Sequence, residues 1–170
     1  MISSILLAAG QSKRMSGENK LIKNVGGIPL IKCALNNILK SSVDETVIVL
    51  GYQSEIIEKL IDKSDKIKFV FNPNFASGMA SSIKKGIENL SQKTEAFFIS
   101  LGDMPSINYS TYNRLIEYKK NEKIIVPIFK GQKGNPVLFP KSFKKNILSI
   151  HGDYGAKKIL ENNKKKLLSI

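Results

Sequence analysis

Short apolar runs bounded by turn residues predict buried strands at Ile2–Ala8, Thr46–Leu50, Ile67–Phe71 and Ala96–Leu101, each brief and rich in β-branched or aromatic side chains. Between them the apolar positions change period. Leu30, Ile31, Ala34, Leu35, Ile38 and Leu39 repeat at helical spacing, as do Ile83, Ile87 and Leu90, and Ile56, Ile57, Leu60 and Ile61 suit a shorter helix. The resulting βαβαβαβ order predicts an α/β fold with a mostly parallel sheet covered by helices on both faces, because parallel strands need crossovers and those crossovers bury the sheet. Further on, the pattern predicts a helix around Ser110–Tyr118, then strands at Ile124–Ile128 and Pro136–Phe139 flanking a Gly131–Gly134 turn. Helices are expected near Ser142–Ser149 and Gly155–Asn162, and a last short strand at Leu167–Ile170.

No repeat, low-complexity block or Pro/Gly/Ser linker interrupts this pattern, so residues 1–170 are expected to form one domain with one active site. Hydrophobic residues at 42% and charged residues at 24% fit a packed core. The apolar start, Met1 to Ala8, lacks a basic leader, is too short to span a membrane and runs into Gly10, so it reads as a buried strand of a cytosolic, cytoplasmic protein. With Cys33 the only cysteine and His151 the only histidine, neither an internal disulfide nor a Cys/His zinc site can be assembled. Any metal would therefore have oxygen ligands, which points to Mg²⁺ or Mn²⁺ and to phosphate chemistry. The formal net charge of +13 is almost all lysine, spread as pairs such as Lys84-Lys85 and Lys144-Lys145 and the triplet Lys164 to Lys166, without interleaved aromatics. That distribution predicts a solvated lysine surface rather than a nucleic-acid site, and one able to draw in anionic substrates or an acidic partner protein.

In a doubly wound sheet, ligands bind beyond the carboxyl ends of the strands. Two such places stand out. After the first strand, the stretch from Leu7 to Lys20 combines small residues with Arg14 and Lys20, a composition able to hold a triphosphate through backbone N–H groups and two cations. It is neither a Walker loop nor a GxGxxG fingerprint, and an ordinary surface loop is the plainer alternative. After the fourth strand comes Leu101-Gly102-Asp103-Met104-Pro105, where Asp103 is either a divalent-metal ligand or a cap of the next segment. Both motifs fall on one edge of the sheet, which favours metal binding.

These residues also carry a resemblance. Leu-Ala-Ala-Gly-x-Ser-x-Arg-Met, Asn-Lys-Leu and Leu-Gly-Asp-Met-Pro resemble the MobA-like nucleotidyltransferases. The segments Asn72 to Ile83, Lys133 to Phe139 and Gly152 to Ala156 are similar to those of the molybdenum cofactor cytidylyltransferases. The likeness runs from Ile5 to Leu160 and implies a Rossmann-like, nucleotide-diphospho-sugar transferase-like domain. It further implies that Ala8, Ala9 and Gly10 line a nucleotide, that Arg14 and Lys20 contact phosphates, and that Asp103 holds Mg²⁺. Ser82 is nominated beside the base, with Gly78 giving room; Ser81 is the alternative, and a mere helix-start role for both serines stays open. Asp153 is a second candidate metal ligand or a turn residue.

Ser16, Lys133 and Lys157 depart from the pattern, two of them replacing a forked guanidinium with a single ammonium. His151 is not expected to be a base, since a phosphate acceptor is already ionised at neutral pH. The reading that follows is a Mg²⁺-dependent transfer of CMP from CTP to molybdopterin by in-line displacement, Ala9 favouring CTP over GTP. A molybdenum hydroxylase is the implied partner protein, with no nucleic acid and no membrane. Two other readings stay open: transfer to a sugar phosphate or other phosphorylated acceptor, and a non-catalytic chaperone that delivers the molybdenum cofactor.

Overall fold

The computed structural model describes residues 1–12, 18–149 and 157–170. In chain order the elements are β1 (Ile2–Ala8), β2 (Asn24–Val25), β3 (Ile28–Pro29), α1 (Leu30–Lys40), β4 (Glu45–Leu50), α2 (Ser54–Leu60), β5 (Ile67–Phe71) and α3 (Met79–Glu88). They continue with β6 (Ala96–Leu101), α4 (Tyr109–Glu117), β7 (Ile124–Val126), β8 (Ile128–Phe129), β9 (Gln132–Lys133), β10 (Val137–Pro140), α5 (Lys144–Leu148), α6 (Lys157–Asn162) and β11 (Leu167–Ser169).

Seven strands form one sheet in the order β11-β7-β10-β6-β1-β4-β5. Strand β1 pairs in parallel with β4 and β6, β4 with β5, and β11 with β7; only β10 runs antiparallel to its neighbours. This is the expected α/β fold with a mostly parallel sheet in a single domain. Alternation along each strand divides the core. Ile5, Val47, Phe97 and Ile99 face one side with Ile83 and Ile87 of α3, Ile147 of α5 and Ile159 of α6. Leu6, Ile48, Leu50 and Phe98 face the other, with Ile31 and Leu35 of α1, Ile57 of α2 and Tyr112 and Leu115 of α4. Adjacent β1 residues thus enter opposite layers, the period-2 geometry of a doubly covered strand.

Strands β1, β4, β5 and β6 and helices α1 to α5 lie where periodicity places them, with ends that differ by at most four residues, and the helix expected at Gly155–Asn162 is described from Lys157 onward, its first two residues lying outside the described residues. The expected strand Ile124–Ile128 is instead broken after Val126. Pro127 has no N–H to give the ladder, and after one more bond toward the last strand, from Ile128 N to Ile170 O at 2.7 Å, the chain turns into the small β8–β9 ribbon. Lys130 and Gly131 close that ribbon at φ +48° and +77°, the doubly positive pair that a two-residue hairpin loop needs. A second such ribbon, β2–β3, turns at Gly26 and Gly27 with φ +60° and +83°. No helix among the described residues is long and apolar enough to cross a membrane.

Candidate functional site

Strands β4 and β5 lie on one side of β1 and β6 on the other, so the strand order reverses at β1. Crossovers leave toward opposite sides at that point, and a crevice opens beyond the strand ends. The register places Ala8 beside Leu50, Leu50 beside Phe71 and Leu7 beside Leu101, so the residues following four strands line up along one edge. A cavity of about 570 Å³ opens there. Leu7, Leu21 and Leu101 contribute apolar lining, and Ala9 to Ser12 and Phe75 to Met79 contribute two loops; Lys20, Asp103 and Ser82 complete it.

Each wall has a local cause. Gly102 lets the turn after β6 sit tightly against β1: its N–H donates to Leu7 O at 3.1 Å, and a Cβ there would lie 2.8 Å from Ile31 Cδ1 and 3.0 Å from Leu7 O. Asp103 follows directly, raised above the sheet edge. Lys20 begins a 3-10 turn, Lys20–Ile22, which Asn19 caps by accepting from Leu21 N at 3.1 Å. Leu21 anchors that turn in the core, 4% exposed. The lysine is thereby set against the carboxylate, and Lys20 Nζ donates to Asp103 Oδ2 in a partly exposed ion pair. The Lys20 N–H is also held, by Ser12 Oγ at 3.2 Å.

On the opposite wall the chain after β5 folds back across the end of β4. Gly51 permits this, since a Cβ there would fall 2.6 Å from Phe75 Cβ and 2.8 Å from Ala9 Cβ. Gly78, at φ +113°, then starts α3 in a backbone conformation that favours glycine. Asn72 ties the wall together. It is 3% exposed, its Oδ1 accepts from Asn74 N at 3.0 Å, and its Nδ2 donates to Ser81 Oγ at 2.9 Å and Ser82 Oγ at 3.0 Å.

The arrangement pairs a cation and a carboxylate with a small-residue loop and a hydroxyl on a helix start. Residues 4–167 match the model of the MobA-like NTP transferase domain. The chain belongs to that family. The MobA-like NTP transferase domain is a nucleotidyltransferase domain, and its relatives vary in what they carry it with. The bifunctional protein GlmU of Staphylococcus epidermidis is 28% identical over 134 residues, covering 78% of this chain and 29% of GlmU, so the chain spans under a third of that relative's length. The molybdenum cofactor cytidylyltransferase of Escherichia coli K12 is 26% identical over 140 residues, covering 82% of this chain and 70% of that protein. Among solved structures, Rv0371c of Mycobacterium tuberculosis H37Rv superposes with a TM-score of 0.88 at 21% identity, covering 99% of this chain and 86% of that one. A second structure of Rv0371c is a complex with manganese, with a TM-score of 0.82 at 18% identity over 99% and 86% of the two chains. These two likenesses concern the fold alone.

Of the residues singled out by sequence, Ala9, Gly10, Lys20, Gly78, Ser82 and Asp103 line the cavity together. Ala8 does not. It is 1% exposed with its side chain in the core layer of α1 and α4, so it lies beneath the cavity rather than along it. Arg14, Ser16, His151 and Asp153 lie outside the described residues. Ser81 and Ser82 separate cleanly: the Ser81 hydroxyl lies 2.9 Å from both Asn74 O and Gly78 O, gives its one proton to that pair and is occupied in holding the loop to the helix, whereas Ser82 lines the cavity.

Binding of a divalent ion at this cavity would depend on the oxygen donors that line it. Among the described residues no three His, Cys, Asp or Glu side chains converge, which excludes a closed protein cage formed by them. Mg²⁺ asks for less: one or two carboxylates, with waters and substrate phosphates completing its shell, and Asp103 on the cavity wall fits that role. Sequence reasoning passed over Gly51, Phe75 and the side chain of Asn72. Gly51 was legible, as a glycine directly after a predicted parallel strand; the partners of Asn72 were not, because they lie across a loop whose path no periodicity encodes.

Proposed function

We propose that the chain transfers CMP from CTP to molybdopterin, releasing pyrophosphate, with Mg²⁺ as the accompanying ion and the cytoplasm as its place of work. The observation that carries this reading is the cavity at the sheet's switch point, with Lys20 and Asp103 on one wall and Ser82 on the start of α3 on another. Two mutually repelling anions must meet there, so the chemistry needed is positioning and charge compensation rather than a covalent intermediate. An oxygen of the acceptor phosphate attacks the α-phosphorus in line, the new P–O bond forms, and the bond to the bridging oxygen of pyrophosphate breaks with its electron pair leaving on that oxygen. In this reading Ala9 and Gly10 bring backbone against the nucleotide, Lys20 and Arg14 offset charge on the departing pyrophosphate, and Ser82 faces the base with Gly78 giving room. Asp103 would hold the Mg²⁺, with Asp153 as a second carboxylate. Bound there, the ion would neutralise phosphate oxygens and help to orient them. The 26% identity to a molybdenum cofactor cytidylyltransferase supports both the base and the acceptor. A molybdenum hydroxylase is the protein that would receive the product.

The test is pyrophosphate release with CTP, UTP, GTP and ATP against molybdopterin and a panel of sugar phosphates. CTP with molybdopterin should give the highest kcat/KM. Asp103→Ala should fold and lose on the order of 100-fold or more in turnover, as expected when a group that supports transition-state charge is removed. A higher kcat/KM with GTP would overturn the base, a sugar phosphate outpacing molybdopterin would overturn the acceptor, and an Asp103→Ala variant within a few-fold of wild type would overturn the metal role.

A further inference from the structure

The amide of Asn72 is unusually constrained. Its own N–H continues the sheet ladder by donating to Leu50 O at 2.9 Å, so the residue is fixed by the sheet rather than by the loop it begins. Its side chain is buried and has one assignable orientation. The N–H of Asn74 can only donate, so the atom 3.0 Å away must be the amide oxygen, and the NH₂ group must therefore face α3. Both NH₂ protons are then used, one on Ser81 Oγ and one on Ser82 Oγ.

Each serine thus accepts from Asn72 and keeps one proton to give. The proton of Ser81 goes to the backbone oxygen of Asn74 or Gly78. Among the described residues Ser82 Oγ has no such carbonyl to donate to, and it lines the cavity. We propose that Asn72 is a positioning residue that sets the polarity of Ser82, so that the cavity offers a nucleobase a hydrogen-bond donor and selects for an acceptor atom on the base. This rests on the reading that Ser82 faces the base. Both pyrimidines carry an acceptor at O2, but cytosine presents an acceptor at N3 where uracil presents a donor; a hydroxyl locked as donor and facing N3 discriminates between them, and one free to rotate does not. Leaving a buried polar group unmatched at the base is worth a preference of about ten-fold or more.

Asn72→Asp tests this with little change of shape. A carboxylate keeps the bond from Asn74 N but can only accept, so both serine hydroxyls turn toward it and Ser82 shows the cavity a lone pair instead of a proton. Binding of CTP and UTP, each with Mg²⁺ and without acceptor, is measured by calorimetry for wild type, Asn72→Asp, Ser82→Ala and the double variant, with folding checked by circular dichroism. The expected result is a CTP-to-UTP affinity ratio at least about ten-fold lower in Asn72→Asp, and no further fall when that change is added to Ser82→Ala. Should Asn72→Asp not fold, Asn72→Ala frees the Ser82 hydroxyl to rotate and should carry the ratio toward one without reversing it. If Ser82→Ala lowers the ratio but neither Asn72 variant does, or if the two changes simply add, the role of Asn72 is overturned while Ser82 remains at the base. If Ser82→Ala leaves both affinities unchanged, the assignment of Ser82 to the base falls, and the inference with it.

Discussion

Lys20 and Asp103 face each other across two loops that are 83 positions apart in sequence. The pair is partly exposed, so its contribution to folding is small; its meaning lies in what each partner does when a polyphosphate enters. A lysine poised on the pyrophosphate side stabilises charge that grows as the leaving group departs, and such an interaction is worth more in the transition state than in a complex with product. Lys20→Met should therefore lower kcat far more than it weakens binding of the cytosine dinucleotide product. Following pyrophosphate release beside a titration with that product checks the split, and a variant with full turnover would remove Lys20 from the mechanism. A wild-type protein that binds the product yet releases no pyrophosphate from any NTP would instead support the delivery role. At this scale the sequence displayed residue types well. Small residues followed by cations after the first strand, and a Gly-Asp pair after the fourth, were legible as chemistry from their positions at strand ends. Which of two adjacent serines turns inward was not, because that depends on helix phase relative to the buried Asn72.

Among the elements, α3 couples the core to the site. Its start forms one wall of the cavity, and farther along Ile83, Gly86 and Ile87 press on the sheet. Gly86 is the contact point: a Cβ there would overlap Ile5 Cγ2 on β1, and Ile5 is fully buried with no room to retreat. Gly86→Ala should consequently destabilise the fold by about 1–3 kcal/mol from overpacking, against the gain of roughly 1 kcal/mol that alanine brings to an exposed helix interior. Urea unfolding at constant m-value measures the balance, and a stabilised variant would show that α3 can lift from β1 at little cost. Element existence was legible from periodicity, since strands covered on both faces read as apolar runs and their helices as striped ones. The β2–β3 ribbon was passed over although Gly26-Gly27 is a recognised hairpin signal. The break at Pro127 was likewise written in the chain, as a residue unable to donate to a ladder.

Over the whole molecule, stability and pH are linked through the layer between α4 and the sheet. Tyr112 packs edge-on against Phe98 with centroids 5.1 Å apart and donates to Ser100 Oγ at 3.2 Å, which in turn bonds Ser4 Oγ at 3.1 Å. Burial pushes its phenol up from the ordinary value of 10 to about 12, the bond to Ser100 working weakly the other way. In the unfolded chain the phenol ionises near pH 10, so between pH 10 and 12 the folded state holds the extra proton and stability falls as pH rises. The contribution is complete below pH 10, and the loss over this window is on the order of 2–3 kcal/mol. Tyr112→Phe should flatten that part of the profile relative to wild type, as read from unfolding free energies at pH 9, 10, 11 and 12; an identical slope would place the alkaline sensitivity elsewhere, among the many lysines. The sequence by itself determined the alternation of strands and helices, the edge at which chemistry collects and the family, because these follow from local periodicity and from which residues come directly after a strand. Only the tertiary structure decided the strand order with its reversal at β1, the meeting of Lys20 with Asp103 and the path of the loop over Gly51 to Ser82. Those are long-range choices, set by how buried faces pack against one another, and no local pattern along the chain records them.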